Sequence, residues 1–251
     1  SVKDALRAGE TCFGCFVPMP SPEVVEIAAL AGFDFVLLDG EHGRVSPDDA
    51  YAMILAAEAR GVQPMARIGQ NDRQVILKWL DLGVTGVLIP QTTTADDAER
   101  ALDAMRYSPR GKRGLAGGRT FDFGMGMPMS KAVAAIDERV LTMVQFEHID
   151  SLPHFEAMLA MPELDVLFVG PNDLALSMGF PGAPNHPDVD AVVERVCAAA
   201  SGSRVALATV APDAATARKR VGQGFRMIVA NAPSLLAAAS RGYLADARAA
   251  S

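Results

Sequence analysis

Along the chain, short continuous apolar runs alternate with longer stretches in which apolar positions recur every three or four residues. The continuous runs are CFGCFVP (12–18), FDFVLLD (33–39), QPMARI (63–68), TGVLIP (85–90), LTMVQFE (141–147), DVLFVG (165–170), RVALATV (204–210) and FRMIVA (225–230). Runs of this length, rich in Val, Ile, Leu and Phe, are the pattern of strands buried on both faces. The stretches between them carry helix starts and stops. SPEVVEIAALAG has Ser21 as a cap, Pro22 at the first helical position and Gly32 as a stop, and SPDDAYAMILAAEARG repeats that design from Ser46 to Gly61. NDRQVILKWLDLG, TADDAERALDAM, SLPHFEAMLA, DVDAVVERVCAAA, APDAATARKRVGQG and APSLLAAASRGYLADARA complete the set.

Eight strands each followed by a helix predict parallel pairing through right-handed crossovers. In 251 residues that repeat fits a single α/β domain over residues 1–251, a (β/α)8 TIM barrel. A doubly wound sheet would want G-x-G-x-x-G after its first strand, where this chain reads PMPSPEV. The one long irregular stretch, YSPRGKRGLAGGRTFDFGMGMPMS (107–130), has the composition of a lid or interface loop.

Composition narrows the class of function. Half of the residues are apolar, enough for a sizeable core, and the net charge of −7 argues against nucleic acid and anionic membrane as partners. No run approaches the ~18 apolar residues of a membrane span. The start, SVKDALRAGE, lacks an apolar signal core, which predicts a cytoplasmic protein. Cys12 and Cys15 form a C-x-x-C inside an apolar run with no second pair, so they and Cys197 are expected as small hydrophobes in a reducing setting.

In a barrel of this kind the carboxyl ends of the strands surround one pocket, and the polar residues collect there on one side. The second strand runs into Asp39, Glu41 and His42, the third ends at Arg67, and the fourth at Gln91. The fifth carries Gln145 and Glu147 at alternate positions, hence on one face, and the sixth runs into Asp173. Strands one, seven and eight end without an ionisable residue. Glu147 and Asp173 suit a hard divalent ion such as Mg²⁺ or Mn²⁺, with Co²⁺ a further candidate, and the scarcity of histidine argues against zinc. Arg67 offers a fork of donors to a carboxylate or an enolate oxygen, against the plainer reading of a structural ion pair. Backbone amides around Gly170, Pro171 and Asn172, opening a helix, are placed to hold a second carboxylate oxygen. His42 is the natural proton carrier. His148, His154 and His186 receive no role. No lysine lies in a barrel strand, which disfavours a Schiff-base mechanism.

LLDGEHG, ARIG, PQ, YSPRGKRG, VQFE and VGPNDLALSMG follow in the order and spacing of the HpcH/HpaI aldolase family, the metal-dependent class II pyruvate aldolases, and the chain resembles that family over nearly its whole length. The resemblance implies a barrel of the phosphoenolpyruvate/pyruvate type and a divalent metal without an organic cofactor. Glu147 and Asp173 would ligate the metal, with Glu41 acting through water. Arg67 and Gln145 would hold the 2-oxo acid, helped by amides near Gly170 and Asn172. His42 would handle protons beside Asp39, Phe16 would line the aldehyde side, and Asp81 would approach the histidine from a neighbouring subunit. It implies a homo-oligomer, a hexamer built as a dimer of trimers, with the C-terminal helix exchanged between neighbours. Departures fall at Lys112, at Asn172 and near Ala232, and bear on acceptor specificity.

The reaction implied is reversible cleavage of a 4-hydroxy-2-oxo acid to pyruvate, or a substituted pyruvate, and an aldehyde, through an enolate held on the metal. Three rivals stand beside it: a condensing enzyme joining an enolate to an oxo acid, a citrate-lyase β-like acyl-CoA lyase, and a binding protein with a vestigial site.

Overall fold

The structure, a computed structural model, describes residues 1–249. Eight parallel strands close into a barrel in sequence order: β1 (Cys12–Val17), β2 (Phe35–Asp39), β3 (Gln63–Arg67), β4 (Gly86–Ile89), β5 (Leu141–Phe146), β6 (Val166–Val169), β7 (Ala206–Val210) and β8 (Met227–Asn231). Around them run α1 (Val2–Arg7), α2 (Pro22–Leu30), α3 (Pro47–Arg60), α4 (Arg73–Leu82), α5 (Ala95–Met105), α6 (Met129–Arg139), α7 (Phe155–Leu159), α8 (Pro171–Ser177), α9 (Pro187–Ala200), α10 (Ala214–Gly222) and α11 (Ala232–Ala249). The expected caps are in place: Ser21 and Ser46 accept N–H groups in the first turns of α2 and α3, and Gly61 closes α3 in the left-handed conformation that favours glycine.

Alternation along each strand divides the apolar residues into two cores. Phe16, Phe35, Leu37, Met65, Leu88, Met143, Phe168 and Met227 fill the barrel, and a larger layer packs between sheet and helices. At the amino end of the strands α1 plugs the barrel. Its Lys3, only 3% exposed, pairs with Asp165 at 2.9 Å and donates to the Val140 carbonyl at 2.9 Å. Chemistry is therefore left to the other end.

Three expectations change. The stretch 107–130 contains a 3₁₀ turn over Arg119–Gly124 and then gives way to α6, where its Gly and Met content masked the helix. SLPHFEAMLA divides into a 3₁₀ turn over Ile149–Ser151 and a helix that begins only at Phe155, after Pro153. The sixth unit holds two helices, α8 and α9, instead of one. The last helix, α11, is as long as expected, but none of its side chains is buried; Leu236 and Tyr243 are 68% and 74% exposed.

Candidate active site

At the carboxyl end of β2 the chain makes a tight turn that requires glycine at position 43. A Cβ on Gly43 would stand 2.3 Å from the Asp39 carbonyl and 2.7 Å from that of Pro18, so no side chain fits there. Asp39 Oδ1 accepts the backbone N–H groups of Glu41 and His42, at 3.1 and 3.2 Å, and thereby aims both residues over the mouth. Parallel pairing sets Asp39 directly opposite Arg67. The two form a bidentate pair, Nε to Oδ1 at 3.0 Å and Nη2 to Oδ2 at 2.7 Å. Arg67 Nη1 stands 3.2 Å from Glu41 Oε2, and its guanidinium lies 4.7 Å over the Phe16 ring, which in turn meets Phe168 edge-on.

Asp39 is therefore the anchor of Arg67 and of the turn, and it meets His42 through that residue's backbone N–H. The acid nearest the imidazole is Glu41, its Oε2 3.9 Å from His42 Nε2. His42 itself is 63% exposed and faces open space. Phe16, 3% exposed, supports the Arg67 guanidinium with its ring face.

From the opposite wall, Glu147 follows β5 and is nearly buried. Its Oε1 accepts the Gln91 backbone N–H at 2.7 Å, and its Oε2 accepts from the Gln145 side chain. Gln91 achieves this with a φ of 54°, a left-handed conformation that costs a non-glycine residue about 1 kcal/mol. Gly170 is required for the approach: a Cβ there would lie 3.0 Å from the Glu147 Cβ and 3.1 Å from Gln145 Nε2. Its own N–H is committed to the Phe146 carbonyl at 2.9 Å, and Pro171 has none, so these two residues cannot supply the expected anion-binding amides. Asp173 stands in the first turn of α8, where Gly170 is the cap.

Glu41, His42, Gln91, Glu147 and Asp173 converge on one cavity of about 430 Å³, completed by Thr93, His148, Leu176 and Ser177. Burial pushes the Glu147 carboxyl above the usual range; the Gln91 amide works against this and the charge of Asp173 with it. Burial also raises Glu41, against the pull of Arg67 and with the push of Glu147. Asp39 moves the other way: burial alone would raise it, but hydrogen bonds from Arg67, the Arg67 charge and the two amides outweigh that. Glu147 and Asp173 face this cavity with no lysine or arginine among its lining, a donor set whose chemistry suits a hard cation. Among the described residues no three His, Cys, Asp or Glu side chains could hold a metal ion by themselves. The residues accordingly fit two carboxylate ligands with water completing the shell.

Arg67, Gln145 and Asp39 stand behind that cavity, and Asn172 faces a neighbouring one. Asp81 lies at the end of α4, at the opposite end of the barrel from His42, where it accepts from Arg113 Nη2 at 2.9 Å. Lys112 is on the outside, paired with Asp103. Gln91 was visible as a strand-end polar residue without a role, and His148 had been assigned none. A larger cleft of about 860 Å³ lies between α3, α6 and the 3₁₀ turn, but its Arg119 and Glu58 are already paired.

The model of the HpcH/HpaI aldolase/citrate lyase family matches residues 12–234. The hydroxypyruvate/pyruvate aldolase of Cupriavidus necator is 35% identical, with 99% of this chain and 95% of that protein aligned. The 2-keto-3-deoxy-L-rhamnonate aldolase of Klebsiella pneumoniae is 32% identical over 93% of this chain and 87% of that protein. The crystal structure of an HpcH/HpaI aldolase/citrate lyase family protein from Burkholderia cenocepacia superposes with a TM-score of 0.93 at 33% identity, covering 98% of each chain. With relatives named aldolases at this similarity, the chain is an enzyme, a carbon–carbon lyase of the class II aldolase type. The chain belongs to the HpcH/HpaI aldolase/citrate lyase family.

Proposed function

We propose that the barrel mouth cleaves a 4-hydroxy-2-oxo acid, reversibly, to pyruvate or a substituted pyruvate and an aldehyde, with Mg²⁺ or Mn²⁺ as the metal. One observation carries this reading. Glu41, His42, Glu147 and Asp173 face a single cavity, beside an arginine that Asp39 locks in place. Glu147 and Asp173 would hold a divalent cation, with Glu41 acting through water, and the cation would supply Lewis acidity toward a 2-oxo acid.

The chain's own residues do the rest. Arg67 keeps N–H capacity on its Nη atoms beyond its pairs with Asp39 and Glu41, and directs it at the oxygen that gains charge when the C3–C4 bond breaks. Gln145 orients Glu147 and offers its amide to the substrate carboxylate, helped by the Asn172 backbone N–H. Its Oε1 is buried without a partner, which suits a water or substrate donor. His42, exposed at the rim, takes the proton of the 4-hydroxyl in cleavage and returns it in synthesis. Glu41 holds the imidazole's edge.

The same reading includes a homo-oligomer, a hexamer made as a dimer of trimers, in which α11 leaves its own barrel and covers a neighbour's. The largely exposed α11, which buries no side chain, together with exposed Ile27 and Leu30 on α2, supports it. A neighbour's Asp81 would then complete the site beside His42. Unpaired, buried Cys12 and Cys15, their thiols pushed up to about 11 by burial, suit a cytoplasmic setting.

The test is proton exchange. Pyruvate incubated with the protein in D₂O should lose its methyl signal only with Mg²⁺ or Mn²⁺ present. Exchange should vanish in Glu147→Ala and slow in Arg67→Ala. If pyruvate, oxaloacetate and hydroxypyruvate all fail to exchange under every divalent metal, the reading is wrong.

A further inference from the structure

On the β4–β5 side of the active-site cavity, Gln91, Thr93 and His148 carry the wall from nearly buried Glu147 out to the rim. Gln91 serves the fold by its backbone: its N–H reaches Glu147 Oε1 at 2.7 Å, and the φ of 54° is what permits this. Glycine takes that conformation without strain and would hold Glu147 equally well. The chain instead places a long amide there. Among the described residues nothing pairs with Gln91 Oε1 or Nε2, and the side chain lines the cavity. A strained residue whose side chain the fold does not use is kept for another purpose.

His148 is the second such group. It caps the 3₁₀ turn Ile149–Ser151, with Nδ1 accepting the Asp150 N–H at 3.2 Å and Asp150 Oδ2 standing 3.5 Å away. An accepting Nδ1 puts the hydrogen of the neutral ring on Nε2, and Nε2 is the nitrogen left for the cavity. Ser177 on the same wall is already engaged: it accepts the Ile149 N–H at 3.0 Å and donates to the Leu174 carbonyl at 2.8 Å. The unused set is therefore an amide, the Thr93 hydroxyl and an imidazole N–H, all neutral. An anionic group would meet no lysine or arginine in this lining. An alkyl group would cover the amide and leave it unpaired. A group that both donates and accepts fits, and that group is a hydroxyl. Gln91 and His148 both adjoin Glu147, so the hydroxyl they meet lies close to the reacting carbons.

We propose that Gln91 and His148 are specificity residues that bind a hydroxyl on the carbon next to a substrate carbonyl. The proposal rests on the aldolase reading and adds to it two residues and the chemistry they select. Two sources share that chemistry: hydroxypyruvate as the 2-oxo acid, or an α-hydroxyaldehyde as the acceptor. In either case Gln91 Oε1 accepts the hydroxyl proton, and the His148 Nε2–H donates to the hydroxyl oxygen. Neither residue moves a proton in bond cleavage. Selection arises because a site built to hydrogen-bond a hydroxyl leaves its own groups unpaired against the analogue that lacks it.

Two matched pairs of substrates test it through ratios of kcat/KM. Glycolaldehyde against acetaldehyde, each condensed with pyruvate, reads the acceptor side. Hydroxypyruvate against pyruvate, each condensed with acetaldehyde, reads the 2-oxo acid side. Intrinsic reactivity differs within a pair but cancels when a variant's ratio is divided by that of wild type. Gln91→Met, of similar length, should lower the hydroxylated-to-plain ratio of one pair by about 3- to 10-fold, the range of one neutral hydrogen bond. His148→Asn, whose Oδ1 can keep the Asp150 cap, should lower the same ratio by a similar factor, and the affected pair names the source. Gln91→Gly should lose the ratio as Gln91→Met does while unfolding at the same or a higher temperature, because the strain leaves with the side chain. Absence of pyruvate exchange in wild type would refute the aldolase reading. Intact exchange with both ratios left within twofold by Gln91→Met and His148→Asn is the result for a rim that holds water only, and it would overturn the present proposal. A destabilised Gln91→Gly would overturn it too, since the side chain would then be there for the fold.

Discussion

Replacing Asp39 by asparagine separates anchoring from proton transfer at the end of β2. The carboxylate and the Arg67 guanidinium are 4% and 11% exposed and joined by two hydrogen bonds. Removing one partner of such a pair costs roughly 3–5 kcal/mol where nothing replaces it. Here Glu41 Oε2 remains 3.2 Å from Nη1, and the asparagine oxygen can still accept one of the original donors. About 2–3 kcal/mol is therefore the expected loss, or roughly 4–12 °C in Tm for a chain of this size. The pH dependence carries a sign. Because the Asp39 carboxyl is held below its ordinary value, its contribution is complete above the unfolded pKa of about 4 and is lost as pH falls through the folded one. The gap between wild type and Asp39→Asn should thus be full at neutral pH and close in acid. Thermal unfolding across pH and initial rates of pyruvate exchange measure both halves. Asp39→Asn should raise the pyruvate KM while kcat keeps the wild-type pH profile. His42→Ala should cut kcat with a Tm change within about 1 °C, as for an exposed side chain. If Asp39→Asn leaves Tm unchanged and instead removes a limb of the kcat–pH profile, the anchoring role is wrong.

Glu147→Gln should raise the Tm of metal-free protein at neutral pH by about 1–3 °C, since a carboxyl whose folded pKa is raised penalises the native state above the unfolded pKa and relieves it as pH falls. The same variant should lose the Mn²⁺-dependent rise in Tm; a retained rise would remove Glu147 from the ligands. Gly170→Ala, its new Cβ 3.0 Å from the Glu147 Cβ, should cost about 1–3 kcal/mol and weaken Mn²⁺ binding in calorimetry, and unaltered affinity would contradict the close fit. Leu236→Asp combined with Tyr243→Asp, both on exposed α11, should lower the mass measured by light scattering while helicity is kept; an unchanged mass would count against helix exchange.

The barrel was legible because each strand is buried on both faces and so reads as an unbroken apolar run, and because serine caps and glycine stops bracket the helices. What failed is local. In α6 the apolar content begins with Met129 behind a glycine- and methionine-rich approach, so the change of period has no marker. In SLPHFEAMLA a single proline moves the helix start four residues, a displacement that propensity alone cannot forecast. The exposure of α11 is not written in its own pattern, which states that a face is to be covered but not by which chain; only the family resemblance implied an exchanged helix.

The site divides along the same physical line. Strand-end position is a one-dimensional property, and it correctly gathered Glu41, His42, Glu147 and Asp173 around one cavity. Lateral contact is not. Asp39 and Arg67 are 28 residues apart and meet only because the β2–β3 register sets them opposite each other, and that register follows from barrel closure. Asp39 holds the histidine's amide, and Glu41 is the acid near its ring. Arg220 is the extreme case. ATARKRVG looks like any solvated helix face, and only the tertiary fold removes Arg220 from water, 3.9 Å from Asp190 of α9. Charge on a helix is ordinary until the tertiary fold buries it without a full set of partners.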